Sequence, residues 1–200
     1  DIKNPHDPDN VTAAESYPRD GLDPTKPWIG DPDDEDSLQQ ARTVRHALAQ
    51  AIDRDLLIES SLDGYGSLLY TMVQIHPGMD EYKSDWDIPF DADNAKKLLA
   101  EAGYPDCFDL PWWIAPDSAL VNPEIGMAIA QMWTNMGCNV EIDNTAYAAQ
   151  RPSLVDRSFK KPWLMHGGQG EKKYNCAGVA VLGTRGLSYG MEIQRISDNY

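Results

Sequence analysis

Two short motifs near the end of the chain are the residue patterns that could support covalent catalysis. Residues 186–190 read GLSYG and match the G-x-S-x-G pattern of a serine nucleophile, and His166 is followed by two glycines, as in some oxyanion holes. Such a hydrolase needs an acid and then a histidine after the serine, but no histidine follows Ser188. The motifs are also too close together to hold the intervening strand and helix. A truncated α/β-hydrolase with Ser188 as nucleophile is therefore the alternative, not the leading hypothesis.

The remaining reactive residues do not form a metal or cofactor pattern. The 3 cysteines, Cys107, Cys138 and Cys176, have no CxxC spacing, and no two histidines stand at i and i+4. We therefore predict neither a metal site nor a cofactor. Cys107 and Cys138 each stand at the start of a predicted strand, which suits small buried hydrophobic residues. One disulfide in an oxidising compartment is the open alternative.

The charge of the chain is acidic overall but unevenly distributed. The net charge is −15, which argues against nucleic acid and anionic membranes as partners because both attract lysine and arginine clusters. Residues 150–200 nevertheless carry 8 basic and 4 acidic side chains. A basic end on an acidic body favours either a surface for carboxylate-bearing ligands or a solvated face that balances its neighbours. No stretch of 18 apolar residues predicts a membrane span.

Caps and apolar stripes predict the helices that would position any site. Ser37 is the predicted N-cap of a helix that runs to about Ala51, and Asp53 is the predicted cap of a second helix over Arg54–Leu62. Asp91 is expected to cap a third helix that Gly103 ends, and Asn122-Pro123 to open a fourth that Gly137 stops. Residues 1–36 lack periodicity and predict an extended acidic, proline-rich lead-in to a single α/β lobe over residues 37–200.

A strand, a helix and a second strand follow one another between residues 108 and 143. Residues Phe108–Ile114 are predicted to form a strand, and Pro111 within it indicates an edge strand or a bulge. In Cys138–Asp143 apolar and polar residues alternate, which predicts a second strand. This order predicts a βαβ unit with parallel strands and a right-handed crossover. Short strands at Trp163–Met165 and Gly178–Leu182 would extend the sheet.

An ordered set of segments resembles a known family. The set is VRHALAQAIDR, Gly-Tyr-Gly at 64–66, Pro-Gly-Met at 77–79, DADNAKKLLAEAGYP and IAQMWTNMGCNVEI. In this order it resembles the carboxy-side lobe of the extracellular solute-binding proteins of family 5, the substrate-binding proteins of peptide and nickel ABC transporters. The resemblance implies an α/β fold, namely one lobe of a type II periplasmic-binding-protein-like fold with a mixed sheet.

The same resemblance implies what such a lobe does. It would be non-enzymatic, would capture a peptide-like or other small solute between two lobes, and would deliver it to ABC permease subunits. The expected partners are thus the ligand, the permease and a second lobe of the same protein, at an extracytoplasmic location in the periplasm or at the outer face of the membrane. The family's ligand contacts correspond here to Tyr147, Arg151, Arg157, Trp163 and His166. Aromatic faces suit apolar or sugar surfaces, and arginine can bind a carboxylate with two hydrogen bonds.

Overall fold

The described part of the chain contains five α-helices and two β-strands, and the fourth helix lies between the two strands in the sequence. The computed structural model describes residues 23, 25–31, 34–68, 70, 79–80, 82–116, 123–155 and 159–164, the side chains at 154 and 155 excepted. The bounds are α1 Glu35–Gln50, α2 Arg54–Ser61, α3 Ala92–Glu101, β1 Asp109–Trp113, α4 Pro123–Met136, β2 Asn139–Asp143 and α5 Tyr147–Val155, with a 3-10 turn at Ser84–Trp86 before α3. None of the helices in these ranges is long and apolar enough to cross a membrane.

The first helix begins earlier than its sequence suggests. The cap is Asp34, whose carboxylate accepts hydrogen bonds from the backbone N–H of Asp36 at 3.0 Å and of Ser37 at 3.3 Å. The prediction of Ser37 as N-cap was wrong, because its hydroxyl instead accepts the N–H of Asp31 at 3.0 Å. A carboxylate also interacts favourably with the positive end of the helix dipole, so an aspartate three residues upstream can take the place of the serine.

The next two helices are capped as predicted. Asp53 accepts the N–H of Leu56 at 2.9 Å at the start of α2, and Asp91 accepts the N–H of Asn94 at 2.8 Å at the start of α3. Gly103 follows the end of α3 with a φ of +87°, a left-handed conformation that glycine adopts without a steric penalty. Local side-chain chemistry therefore determines where these helices begin and end.

The main core lies between the helices and one face of the strands. The stripe of α1 buries Val44 and Ala47 completely, and α3 packs on it with Ala95 and Leu99. Trp133 of α4 joins these layers, because its indole N–H donates to the Leu48 carbonyl at 2.9 Å. The predicted apolar stripes of the helices are thus the faces that the fold buries. Trp28 and Ile29 from the turn before α1 also belong to this core.

The two strands pair in parallel, as the βαβ prediction requires. Asp109 stands opposite Asn139 and Trp113 opposite Asp143. On the other side of β1, Trp113 forms a parallel bridge with Trp163. Pro111 has no N–H, and its backbone nitrogen faces the same side as that of Trp113, away from β2, so the proline interrupts no hydrogen bond between β1 and β2. The described strands pair only in parallel, and the predicted strand at Gly178–Leu182 lies outside the described residues.

A disulfide joins the starts of the two strands. Cys107 and Cys138 are bonded across 31 positions of sequence, with their Cα atoms 4.8 Å apart. The sequence left a disulfide open, and the structure shows that the two cysteines are bonded, with Cys138 buried and Cys107 partly buried against the core. Parallel pairing brings the amino ends of β1 and β2 side by side, so residues far apart in sequence come within bonding reach.

Candidate functional site

Aromatic rings cluster where β1 ends, at the carboxyl edge of the parallel pair. Trp113 is fully buried there, and its indole N–H donates to the Thr145 carbonyl at 2.7 Å. Tyr147, the first residue of α5, lies with its ring centroid 6.2 Å from that of Trp113 and its plane within 12°. Trp163 stacks at 4.8 Å and 7°, and Phe159 packs at 5.2 Å in a tilted arrangement. We call these four residues the aromatic cluster.

The last residue of β2 organises the chain that follows it. Asp143 accepts hydrogen bonds from the Thr145 backbone N–H at 2.9 Å and from the Gln150 side-chain amide at 3.0 Å, and it forms an ion pair with Lys161. One carboxylate therefore connects the strand end, helix α5 and the segment that leads to Trp163. It fixes how α5 and that segment approach the aromatic cluster.

The environment of Asp143 stabilises its ionised form. Burial by itself raises the pKa of Asp143, but the hydrogen bonds from Lys161 and Thr145 outweigh this and hold the pKa at about 2, against an ordinary value of 3.8. Because the folded-state pKa lies below the unfolded one, the resulting stabilisation is fully present above about pH 4. It is lost as the pH falls through about 2.

Substitution of Asp143 by asparagine should therefore destabilise the chain in a pH-dependent way. We expect Asp143→Asn to lower the free energy of unfolding at pH 7 by about 1 kcal/mol, after allowance for solvent screening of a partly exposed pair. The difference from wild type should shrink between about pH 4 and pH 2, where the wild-type carboxylate becomes protonated. Urea unfolding curves at a series of pH values measure it.

A matched control stands on the same strand. Glu141 is exposed, so Glu141→Gln should change the free energy of unfolding by less than about 0.5 kcal/mol at every pH. If Asp143→Asn behaved like Glu141→Gln, the organising role assigned to Asp143 would be wrong.

The structure describes three of the five residues predicted to contact a ligand. Tyr147 and Trp163 are partly buried and come together on Trp113, although 16 positions separate them in the sequence. Arg151 lies on α5 with an exposed side chain. Arg157 and His166 lie outside the described residues, as do Ser188 and the rest of the GLSYG motif. That the five bind a ligand remains a prediction.

Three residues that matter to this geometry were not predicted. Trp113 was assigned only to a strand, Asp143 only to a strand end, and Lys161 was counted only within the basic end of the chain. A usable signal existed for the first two, because polar and aromatic residues at the carboxyl ends of parallel strands commonly border ligand sites. No pattern of neighbouring residues in the sequence indicates that Lys161 pairs with Asp143, 18 positions away.

Comparison with known sequences identifies what the chain resembles. Residues 25–170 match the family described as bacterial extracellular solute-binding proteins, family 5 middle. Heme-binding protein A of Haemophilus influenzae is 35% identical over 98 residues, which cover 47% of this chain and 18% of that protein. The dipeptide-binding protein of Escherichia coli is 31% identical over 104 residues, covering 50% of this chain and 19% of that protein. The match thus spans about a fifth of the length of these relatives.

Solved structures support the same fold. The structure of the periplasmic binding protein AgaA from A. tumefaciens R10, in complex with agropinic acid, superposes with a TM-score of 0.58 at 23% identity. The superposition covers 74% of this chain and 31% of that one. At this identity the likeness shows the fold alone, which is the α/β architecture of type II periplasmic binding proteins.

Proposed function

Since the chain belongs to the bacterial extracellular solute-binding proteins of family 5, we propose that it supplies one lobe of the substrate-binding component of an ABC importer. Such a component closes two lobes over a small solute and then delivers the solute to permease subunits. The matched part is about a fifth of the relatives' length, so the other walls of the cleft would come from the remainder of the protein.

The observation that carries this proposal is the aromatic cluster at the carboxyl edge of the parallel strands. In α/β folds, ligands bind in the crevice outside these strand ends. Tyr147 and Trp163 retain partial exposure there, while Trp113 beneath them is buried and holds both rings in place. Rigid aromatic faces suit apolar or planar parts of a solute at a low cost in side-chain entropy. We assign the ligand contacts to Tyr147 and Trp163, with Arg151 nearby and Arg157 and His166 on the segments that follow.

The solute class is proposed only as peptide-like or another small molecule. The relatives are named for heme and dipeptides, and a structural neighbour holds agropinic acid. We infer binding rather than catalysis, because the family is one of binding proteins and the comparisons give the Ser188 hydrolase no support. The Cys107–Cys138 disulfide suits an oxidising, extracytoplasmic location. The periplasm or the outer face of the membrane is the location we propose.

This chain alone should bind such solutes weakly. Because one lobe provides only part of the contact surface, we expect dissociation constants on the order of 1 mM for members of a dipeptide and oligosaccharide panel. Titrations followed by calorimetry and by the NMR signals of the tryptophan indole N–H groups measure this. The signal of Trp163, which lies in the proposed contact surface, should shift first, together with that of Trp113, the buried ring on which Trp163 stacks.

The control substitutes a tyrosine elsewhere on the surface. Tyr147→Ala should abolish the shifts, whereas Tyr65→Ala, at a position 87% exposed after α2, should leave them unchanged. Binding in the micromolar range or tighter would show that a second lobe is not needed. Absence of any shift at Trp163 across the whole panel would contradict the contact assignment.

A further inference from the structure

Three lysines line one cavity beside β1. Lys26 comes from the turn before α1, and Lys160 and Lys161 come from the segment after α5. The cavity has a volume of about 320 Å³, which lies at the lower end of the range for small-molecule sites. We call it the lysine cavity. A local excess of positive charge is unusual on a chain with a net charge of −15.

The segment that carries Lys160 and Lys161 is held by hydrogen bonds to two of its backbone carbonyls. The Trp28 indole N–H donates to the Lys160 carbonyl at 3.1 Å, and the Trp113 N–H donates to the Pro162 carbonyl at 3.1 Å. Trp28 is itself buried, and its carbonyl accepts the Arg45 guanidinium at 2.7 Å. The two lysine backbones are therefore fixed before any ligand arrives, which lowers the entropic cost of binding.

Within the described part of the chain, one of the three lysines forms a direct ion pair. Lys161 is paired with Asp143, but no carboxylate oxygen in the described part of the chain lies within 4.0 Å of the ammonium group of Lys26 or Lys160. The carboxylate of Asp23 interacts electrostatically with both Lys26 and Lys160. Its pKa is lowered chiefly by the hydrogen bond from the Thr25 hydroxyl, and in smaller part by the charges of Lys160 and Lys26. The ammonium groups of Lys26 and Lys160 can thus donate hydrogen bonds to an additional anion.

The other walls limit what that anion can be. Phe159 and Pro111 give the cavity an apolar side. Gln150 and Ser153 give it a polar side, but the Gln150 amide donates to Asp143 and the Ser153 hydroxyl donates to the Gln150 carbonyl at 2.8 Å. Among these side chains, the ammonium groups are the charged donors for a ligand, beside the second N–H of the Gln150 amide. A lining that combines charged with apolar residues favours an organic anion over a fully hydrated inorganic one.

We propose that the lysine cavity binds the carboxylate of a small organic acid, with Lys26 and Lys160 as the charged contacts. This site does not rest on the proposed function, because its lining residues do not include the proposed solute contacts Tyr147 and Trp163.

Titration with succinate, followed by the backbone amide NMR signals of residues 26, 160 and 161, tests the proposal. We expect saturable shifts with a dissociation constant on the order of 1 mM, typical of two partly exposed charge contacts. The double variant Lys26→Gln/Lys160→Gln should bind succinate at least tenfold more weakly. The matched control Lys96→Gln/Lys97→Gln removes the same charge from the exposed face of α3 and should stay within twofold of wild type.

Three results would overturn the proposal. One is the absence of saturable shifts with succinate in the wild-type chain, and another is unchanged succinate affinity in the Lys26→Gln/Lys160→Gln variant. The third is that the uncharged analogue succinamide, or inorganic phosphate, binds with the same affinity as succinate. The first case would show that a carboxylate is not required, and the second that an organic anion is not required. The probe, the signals and the variants differ from those that test the solute-binding role at Tyr147 and Trp163, so the two can fail separately.

Discussion

Replacement of Trp113 by alanine is expected to lower the free energy of unfolding by about 4 kcal/mol, the largest single-residue effect we anticipate. Its side chain is fully buried, so the substitution leaves a cavity as well as removing apolar contacts. It also removes the ring on which Trp163 stacks at 4.8 Å and Tyr147 at 6.2 Å. The indole hydrogen bond to the Thr145 carbonyl is lost at the same time. Chemical denaturation monitored by circular dichroism measures the change.

Two further variants separate the effect of burial from that of the ring type. Trp113→Phe keeps an aromatic ring but removes the indole N–H, and we expect it to lose roughly half as much stability as Trp113→Ala. Trp86 is another tryptophan, only partly buried on the 3-10 turn, and Trp86→Ala should lower the free energy of unfolding by about 1 kcal/mol or less. Equal losses at Trp86 and Trp113 would mean that the aromatic cluster is not a stability centre.

Loss of the Cys107–Cys138 disulfide is expected to lower the free energy of unfolding by roughly 3.5 kcal/mol, from the loop that a bond across 31 positions closes. The bond restricts the unfolded chain and also ties the starts of β1 and β2, so its loss affects the pairing on which the carboxyl edge depends. Thermal unfolding of the Cys107→Ala/Cys138→Ala variant should show a midpoint lower by roughly 10 °C.

A reducing agent provides the matched comparison. Dithiothreitol should lower the wild-type midpoint by a similar amount and should leave the Cys107→Ala/Cys138→Ala variant unchanged. Cys176→Ser should keep the full sensitivity of the wild type to the reducing agent, because the bonded pair excludes Cys176. Insensitivity of the wild-type chain to reduction would contradict a stabilising role for the bond.

Helices α1 to α4 and the strand pairing could be predicted from the sequence because they depend on neighbours along the chain, whereas α5 was not predicted. Asp53 and Asp91 cap α2 and α3 through N–H groups only three residues away, and this spacing is visible in the sequence. Parallel pairing of β1 and β2 followed from the single helix between them. The cap of α1 was missed because both Asp34 and Ser37 suit the role, and only the course of the chain through Asp31 decides between them.

The sequence by itself determined the family, the capped starts of α2 and α3 and the parallel βαβ unit, and it predicts the region in which ligand contacts are to be sought. Only the tertiary structure decided that Cys107 bonds Cys138, that Tyr147 and Trp163 share the ring of Trp113, and that Lys26 borders the same cavity as Lys160. The physical reason is the range of the interactions. Helix caps and apolar stripes depend on residues within one or two helical turns of each other. The disulfide, the stacked rings and the cavity bring together residues up to 134 positions apart, and they exist only once the sheet and helices have packed.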